Sequence, residues 1–154
     1  MALQQLVIGQ HLLQRVLEHC LEEKPFEACG IMTGHDGTVL HVYATENARR
    51  SPVFYEVDPV QQAQVLGEMA GRGHELIAIY HSHPTTPAEP SANDIRLAVH
   101  WPDALRVIIS LAGPSDMRAF LIQHGKVANV PIATLHDLPG EWHDLRAAPE
   151  KENR

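Results

Sequence analysis

The run ELIAIYHSH, residues 75–83, constrains this chain more than any other stretch. It reads as a buried strand, and a buried strand has to be flanked by other elements. The chain supplies them. Leu12, Leu13, Val16, Leu17, Cys20 and Leu21 fall on one face of a helix that Pro25 closes. CGIMTG and TVLHVYAT read as two short strands around the turn at His35-Asp36-Gly37. Asp58-Pro59 is an N-cap followed by proline at the first helical position, and that helix runs through Leu66 and Met69 to Gly71 and Gly73. Ser91 opens a further helix through Leu97 and Val99, stopped at Pro102. LRVIISL and MRAFLIQH read as strands, VANVPIA as one more, and residues 136–154 as a loose polar tail. The expectation is one mixed α and β domain over residues 1–135.

The rest of the composition excludes several functions. A net charge of −7 with scattered cations argues against nucleic acid or an anionic membrane as partner, since phosphate binding needs clustered cations. Two cysteines, Cys20 and Cys29, in no CxxC pattern support neither a disulfide framework nor a cysteine-rich zinc site. MALQQLVIGQ lacks the basic segment and apolar core of a signal peptide, and no run approaches about 20 apolar residues, so the cytoplasm is the expected compartment.

On a strand, residues i and i+2 share a face. His81 and His83 therefore project together, with Tyr80 and Ser82 facing the other way. Two converging imidazoles can hold a divalent metal, zinc being the usual choice for nitrogen ligands. Asp94 is the candidate third ligand, because a loop stiffened by Pro84, Pro87 and Pro90 can fold back over the strand end. The competing reading is local. A Ser with an acid three residues later resembles a capping box, which alone accounts for Ser91 and Asp94. Ser91 can cap and still face a site, whereas for Asp94 the two roles compete. A hydrolytic metal site also needs a general base. Glu27, Glu46, Glu56 and Glu75 all lie near predicted strands, and composition does not choose among them. The other nine histidines, among them His11, His19, His35 and His124, show no such pairing and read as solvated or locally partnered. Cys29 reads as a small core residue rather than a nucleophile.

His81-Ser82-His83-Pro84, six residues, Ser91, two residues and Asp94 together resemble the motif of the JAMM (MPN-plus) zinc metallopeptidases. PFEACGIMTG resembles the family segment that carries its catalytic glutamate, which falls on Glu27. FYEVDP and LRVIISL extend the likeness over roughly residues 6–123. The resemblance implies an α/β (α+β-like) fold, a single MPN-type domain with a curved, mostly antiparallel sheet flanked by helices. It implies one Zn2+ per chain held by His81, His83 and Asp94. Glu27 would be the proton carrier and Ser91 the oxyanion donor. The short spacer between His83 and Ser91 is similar to the compact prokaryotic branch, which cleaves after the C-terminal Gly-Gly of ubiquitin-like sulfur-carrier proteins. Deubiquitinase-like action on other ubiquitin-like conjugates and a non-catalytic MPN binding module are the alternatives, and a homodimer is compatible with either.

Overall fold

In the computed structural model, residues 4–146 are described. The elements in chain order are β1 (Leu6–Gly9), α1 (Gln10–Glu23), β2 (Cys29–His35), β3 (Thr38–Thr45), α2 (Pro59–Arg72), β4 (Glu75–His83) and α3 (Ala92–Leu97). A 3-10 turn (Ala98–His100) follows, then β5 (Leu105–Ser110), β6 (Asp116–Gln123), β7 (Lys126–Val130), β8 (Ile132–Leu135) and β9 (Glu141–Asp144).

The strands form a mixed sheet in the order β7-β6-β5-β4-β2-β3-β1-β8, with β9 also paired to β3. The middle of the sheet is antiparallel at β2–β3 and β2–β4, while β4–β5 is parallel and joined by the crossover that contains α3. Strand alternation sorts the core into two faces. Met32, Val42, Ala78 and Tyr80 pack with Leu12, Val16 and Cys20 of α1 on one side. Cys29, Ile31, Tyr43 and Ile79 pack with Val57 and Val65, under α2, on the other.

Local chemistry fixes the ends of α2. The Asp58 carboxylate accepts from the N–H groups of Val60 and Gln61, Pro59 opens the first turn, and Gly73 closes the helix at φ 71°. In α1 the buried face is Leu12, Val16, His19 and Cys20. Leu21, expected on that face, is half exposed because, nine residues on from Leu12, it stands on the opposite side of the helix.

Three readings are corrected. The helix opened by Ser91 is α-helical only to Leu97 and finishes as a 3-10 turn. VANVPIA is two strands rather than one, because Pro131 has no N–H for the ladder; β8 leaves β7 and pairs with β1. Residues 141–144 of the expected loose tail form β9 instead. Trp142 packs on the α1 side of the core, Leu145 N–H donates to Ala44 O at 2.8 Å, and Arg146 pairs with Glu22 and Glu23. The remainder of that tail, residues 147–154, lies outside the described residues.

Candidate metal centre

The carboxyl end of β4 carries His81 and His83 on the α2 side and Tyr80 and Ser82 on the α1 side. Tyr80 Oη lies 2.7 Å from His19 Nδ1 of α1. Ser82 clamps the neighbouring chain twice: its Oγ accepts from Ala28 N–H at 2.8 Å, and its N–H donates to Ala28 O at 3.0 Å. With Cys29 in register with His81, that clamp brings Glu27 to the level of His83. Gly30 is required for this approach, because it stands opposite Tyr80 and a Cβ there would lie 2.2 Å from the Tyr80 ring.

The Pro84–Pro90 loop folds back over the strand end, as its prolines suggest. Thr86 O accepts from Ser110 Oγ at 2.7 Å, and Pro87 O lies 2.8 Å from His83 Nδ1. A carbonyl only accepts, so His83 Nδ1 carries hydrogen, and in the neutral ring Nε2 is a bare lone pair. Nε2 lies 3.1 Å from His81 Nε2, and both nitrogens lie 3.2 Å from Asp94 Oδ2. Three donor atoms thus form a nearly equilateral triangle, all buried.

The donors fit zinc. Around a tetrahedral ion with bonds of about 2.0–2.1 Å, neighbouring ligand atoms are about 3.3 Å apart. With His83 Nε2 a lone pair and Asp94 Oδ2 an acceptor, the triangle is satisfied either by a hydrogen on His81 Nε2 or by a cation between the three atoms. Burial favours the neutral form of His81 and lowers its pKa. Burial also opposes charge on His83, but bonding to Asp94 and Pro87 outweighs it and raises that pKa. For Asp94, burial is outweighed by the bonds to His81 and His83 and by the Ser91 N–H, which hold the carboxylate far below its usual range. A proton and a metal ion therefore compete for one place.

Asp94 corrects the expected conflict between roles. Its Oδ2 accepts the Ser91 N–H at 2.9 Å while facing both histidines, and Asp94 N–H donates to Ser91 Oγ at 3.0 Å. The capping box is complete, and the ligand corner is part of it. A carboxylate oxygen has lone pairs for both.

Glu27 is 5% exposed and its Oε1 is buried without a partner. Burial pushes its carboxyl up to about 8, with His83 opposing and Asp94 adding to the rise. Its backbone is fixed on both sides, by Ser51 O at 2.9 Å and by Asn47 Nδ2 at 2.9 Å. Of the other acids considered, Glu75 is exposed at the opposite end of β4. Cys29 is buried with its thiol pushed up to about 12, which leaves no thiolate for nucleophilic work.

Two contributors have no signal in the residue pattern alone. Tyr55 stacks on His81 with ring centres 4.4 Å apart and lines a neighbouring cavity of about 610 Å³ with Trp101 and Arg106. Asn47 organises the 47–56 loop through Oδ1, which accepts from Arg49 and Glu56. Tyr55 lies within FYEVDP, whose likeness marked the segment without giving the tyrosine a role.

Comparison with known proteins places these features in company. Residues 9–123 match the family described as prokaryotic homologs of the JAB domain. The chain is 36% identical over 132 residues to the CysO-cysteine peptidase of Mycobacterium tuberculosis, covering 82% of this chain and 89% of that one. It is 30% identical over 128 residues to the desampylase of Pyrococcus furiosus, with the same coverage of 82% and 89%. A protein of Desulfitobacterium hafniense, solved in solution, superposes with a TM-score of 0.79 at 34% identity, over 86% of this chain and 94% of that one.

Proposed function

The chain belongs to the prokaryotic JAB-domain family, and on that premise we propose that it is a zinc-dependent peptidase or isopeptidase acting after the C-terminal Gly-Gly of a ubiquitin-like sulfur-carrier protein. The observation that carries this reading is the buried triangle of His81 Nε2, His83 Nε2 and Asp94 Oδ2, with sides of 3.1–3.2 Å, next to buried Glu27. The likeness to a CysO-cysteine peptidase supports the substrate class.

His81, His83 and Asp94 would hold the zinc, which when bound supplies Lewis-acid polarisation and makes water a stronger acid. Glu27 takes the proton of the attacking water and delivers it to the departing amine. Its carboxyl must be ionised to start, and a divalent charge nearby would lower a value that its surroundings, burial foremost, push up to about 8. Ser91 Oγ accepts from Asp94 N–H and so keeps its own hydrogen free to donate to the substrate oxygen as charge develops there. Because Ser91 is exposed, an extended carrier tail reaches it without rearrangement of the core.

The likeness to a desampylase favours a second reading, cleavage of an isopeptide bond in a ubiquitin-like conjugate. One experiment separates the two. The chain is incubated with a sulfur-carrier protein bearing a C-terminal extension and with the same carrier linked to a lysine, and products are weighed by mass spectrometry. A carrier ending in Gly-Gly is expected from the extended form, with Glu27→Gln slower by ~10²–10⁴-fold at unchanged metal content. A Glu27→Gln chain that cleaves as fast as the parent would sink the assignment.

A further inference from the structure

On the same face of the sheet as α2, but at its far end, β3 and β9 bring His41, Glu141 and His143 together. We propose that these side chains, with His74 beside them, form a second site for a divalent transition-metal cation such as zinc or nickel, and that the ion ties β9 to β3.

The strands dictate the cluster. Residues at i and i+2 share a face, so His41 goes with Tyr43 and Glu141 with His143. The parallel register sets His41 beside Glu141 and Tyr43 beside His143. His41 Nδ1 is 2.9 Å from His143 Nε2, and Glu141 Oε1 is 3.9 Å and 3.8 Å from those two atoms. Ligand atoms around a tetrahedral ion are about 3.3 Å apart, so the imidazoles, now at hydrogen-bond distance, need part only slightly to take one. Glu141 is 68% exposed and free to swing inward.

The rings are preorganised. His143 stacks on Tyr43 at 4.5 Å and on His41 at 5.1 Å. His74 follows the α2 cap Gly73; its ring centre is 5.4 Å from that of His41, and its Nδ1 is buried without a partner. Burial lowers the pKa of both His41 and His143, which leaves their lone pairs available near neutral pH. Arg72 opposes a cation here, but its Nη1 is engaged by Tyr43 Oη at 2.8 Å and Glu68 Oε1 at 3.5 Å. Glu68 and Glu141 offset its charge. The alternative is a metal-free pair, one ring donating a hydrogen to the other.

Zinc titration of the chelator-stripped chain against a chromophoric chelator decides between them. The parent should take two equivalents, and His143→Gln and Asp94→Ala one each. Glu141→Gln, a surface change that leaves the fold alone, should weaken the second equivalent at least about tenfold. With Asp94→Ala, saturating zinc should raise the melting temperature, and adding His143→Gln should abolish that rise. The first equivalent retained by His143→Gln reports that this variant is folded. A parent that takes a single equivalent, or a His143→Gln chain that keeps both, overturns the proposal.

Discussion

Asp94 Oδ2 faces two imidazoles and receives a backbone N–H, so substitutions can separate its duties. Asp94→Asn keeps a neutral acceptor for the cap and should weaken zinc at least about tenfold with little change in urea stability. Asp94→Ala also removes the side-chain half of the capping box, leaves the Ser91 Oγ contact in place, and should cost about 0.5 kcal/mol more in the same urea titration. Gly30→Ala sets a Cβ 2.5 Å from Tyr43 O as well as against the Tyr80 ring, and should destabilise by roughly 1–3 kcal/mol or more. At this scale alternation put His81 and His83 on one face, and the proline-stiffened loop made Asp94 a candidate, but without the family resemblance a capping box accounted for Asp94 equally well. Glu27 was legible only through resemblance, because its place depends on the register of β2 against β4. Asn47 and Tyr55 act through a loop that only the folded chain brings to the site.

Among the elements, α2 and β4 were legible because their information is local: caps at both ends of one, a continuous apolar run in the other. β1 and β9 are four residues each and gain their ladders only from distant partners, β8 and β3. EWHD has one apolar residue, and nothing near it says that Trp142 will meet His19 edge-on at 6.2 Å with Arg15 over its ring at 5.0 Å. Trp142→Ala should therefore cost about 2 kcal/mol, below the 3–5 kcal/mol of a fully buried tryptophan. Thermal or urea unfolding checks it, and a neutral result would mean that β9 adds nothing to the sheet.

For the molecule as a whole, stability should depend on pH through the buried His19, whose pKa is pushed down to about 3, chiefly by burial and then by Arg146. Unfolded, the ring takes its proton near the ordinary 6.5. Above 6.5 neither state binds it and the contribution is complete. As pH falls below 6.5 the unfolded chain gains the proton first, so stability is lost progressively down to about 3. Urea midpoints between pH 7 and 4 should fall less steeply in His19→Gln than in the parent. The same global view joins site to fold. The connection from β4 to β5 carries α3, and the first turn of that helix is capped through the oxygen that meets the histidines. An ion held in the triangle would also hold that capping oxygen, so zinc should stabilise the turn together with the site. In deuterium exchange, the Ser91 and Asp94 amides should slow together as zinc is added, with sub-stoichiometric metal giving two mass populations for that peptide instead of one that drifts.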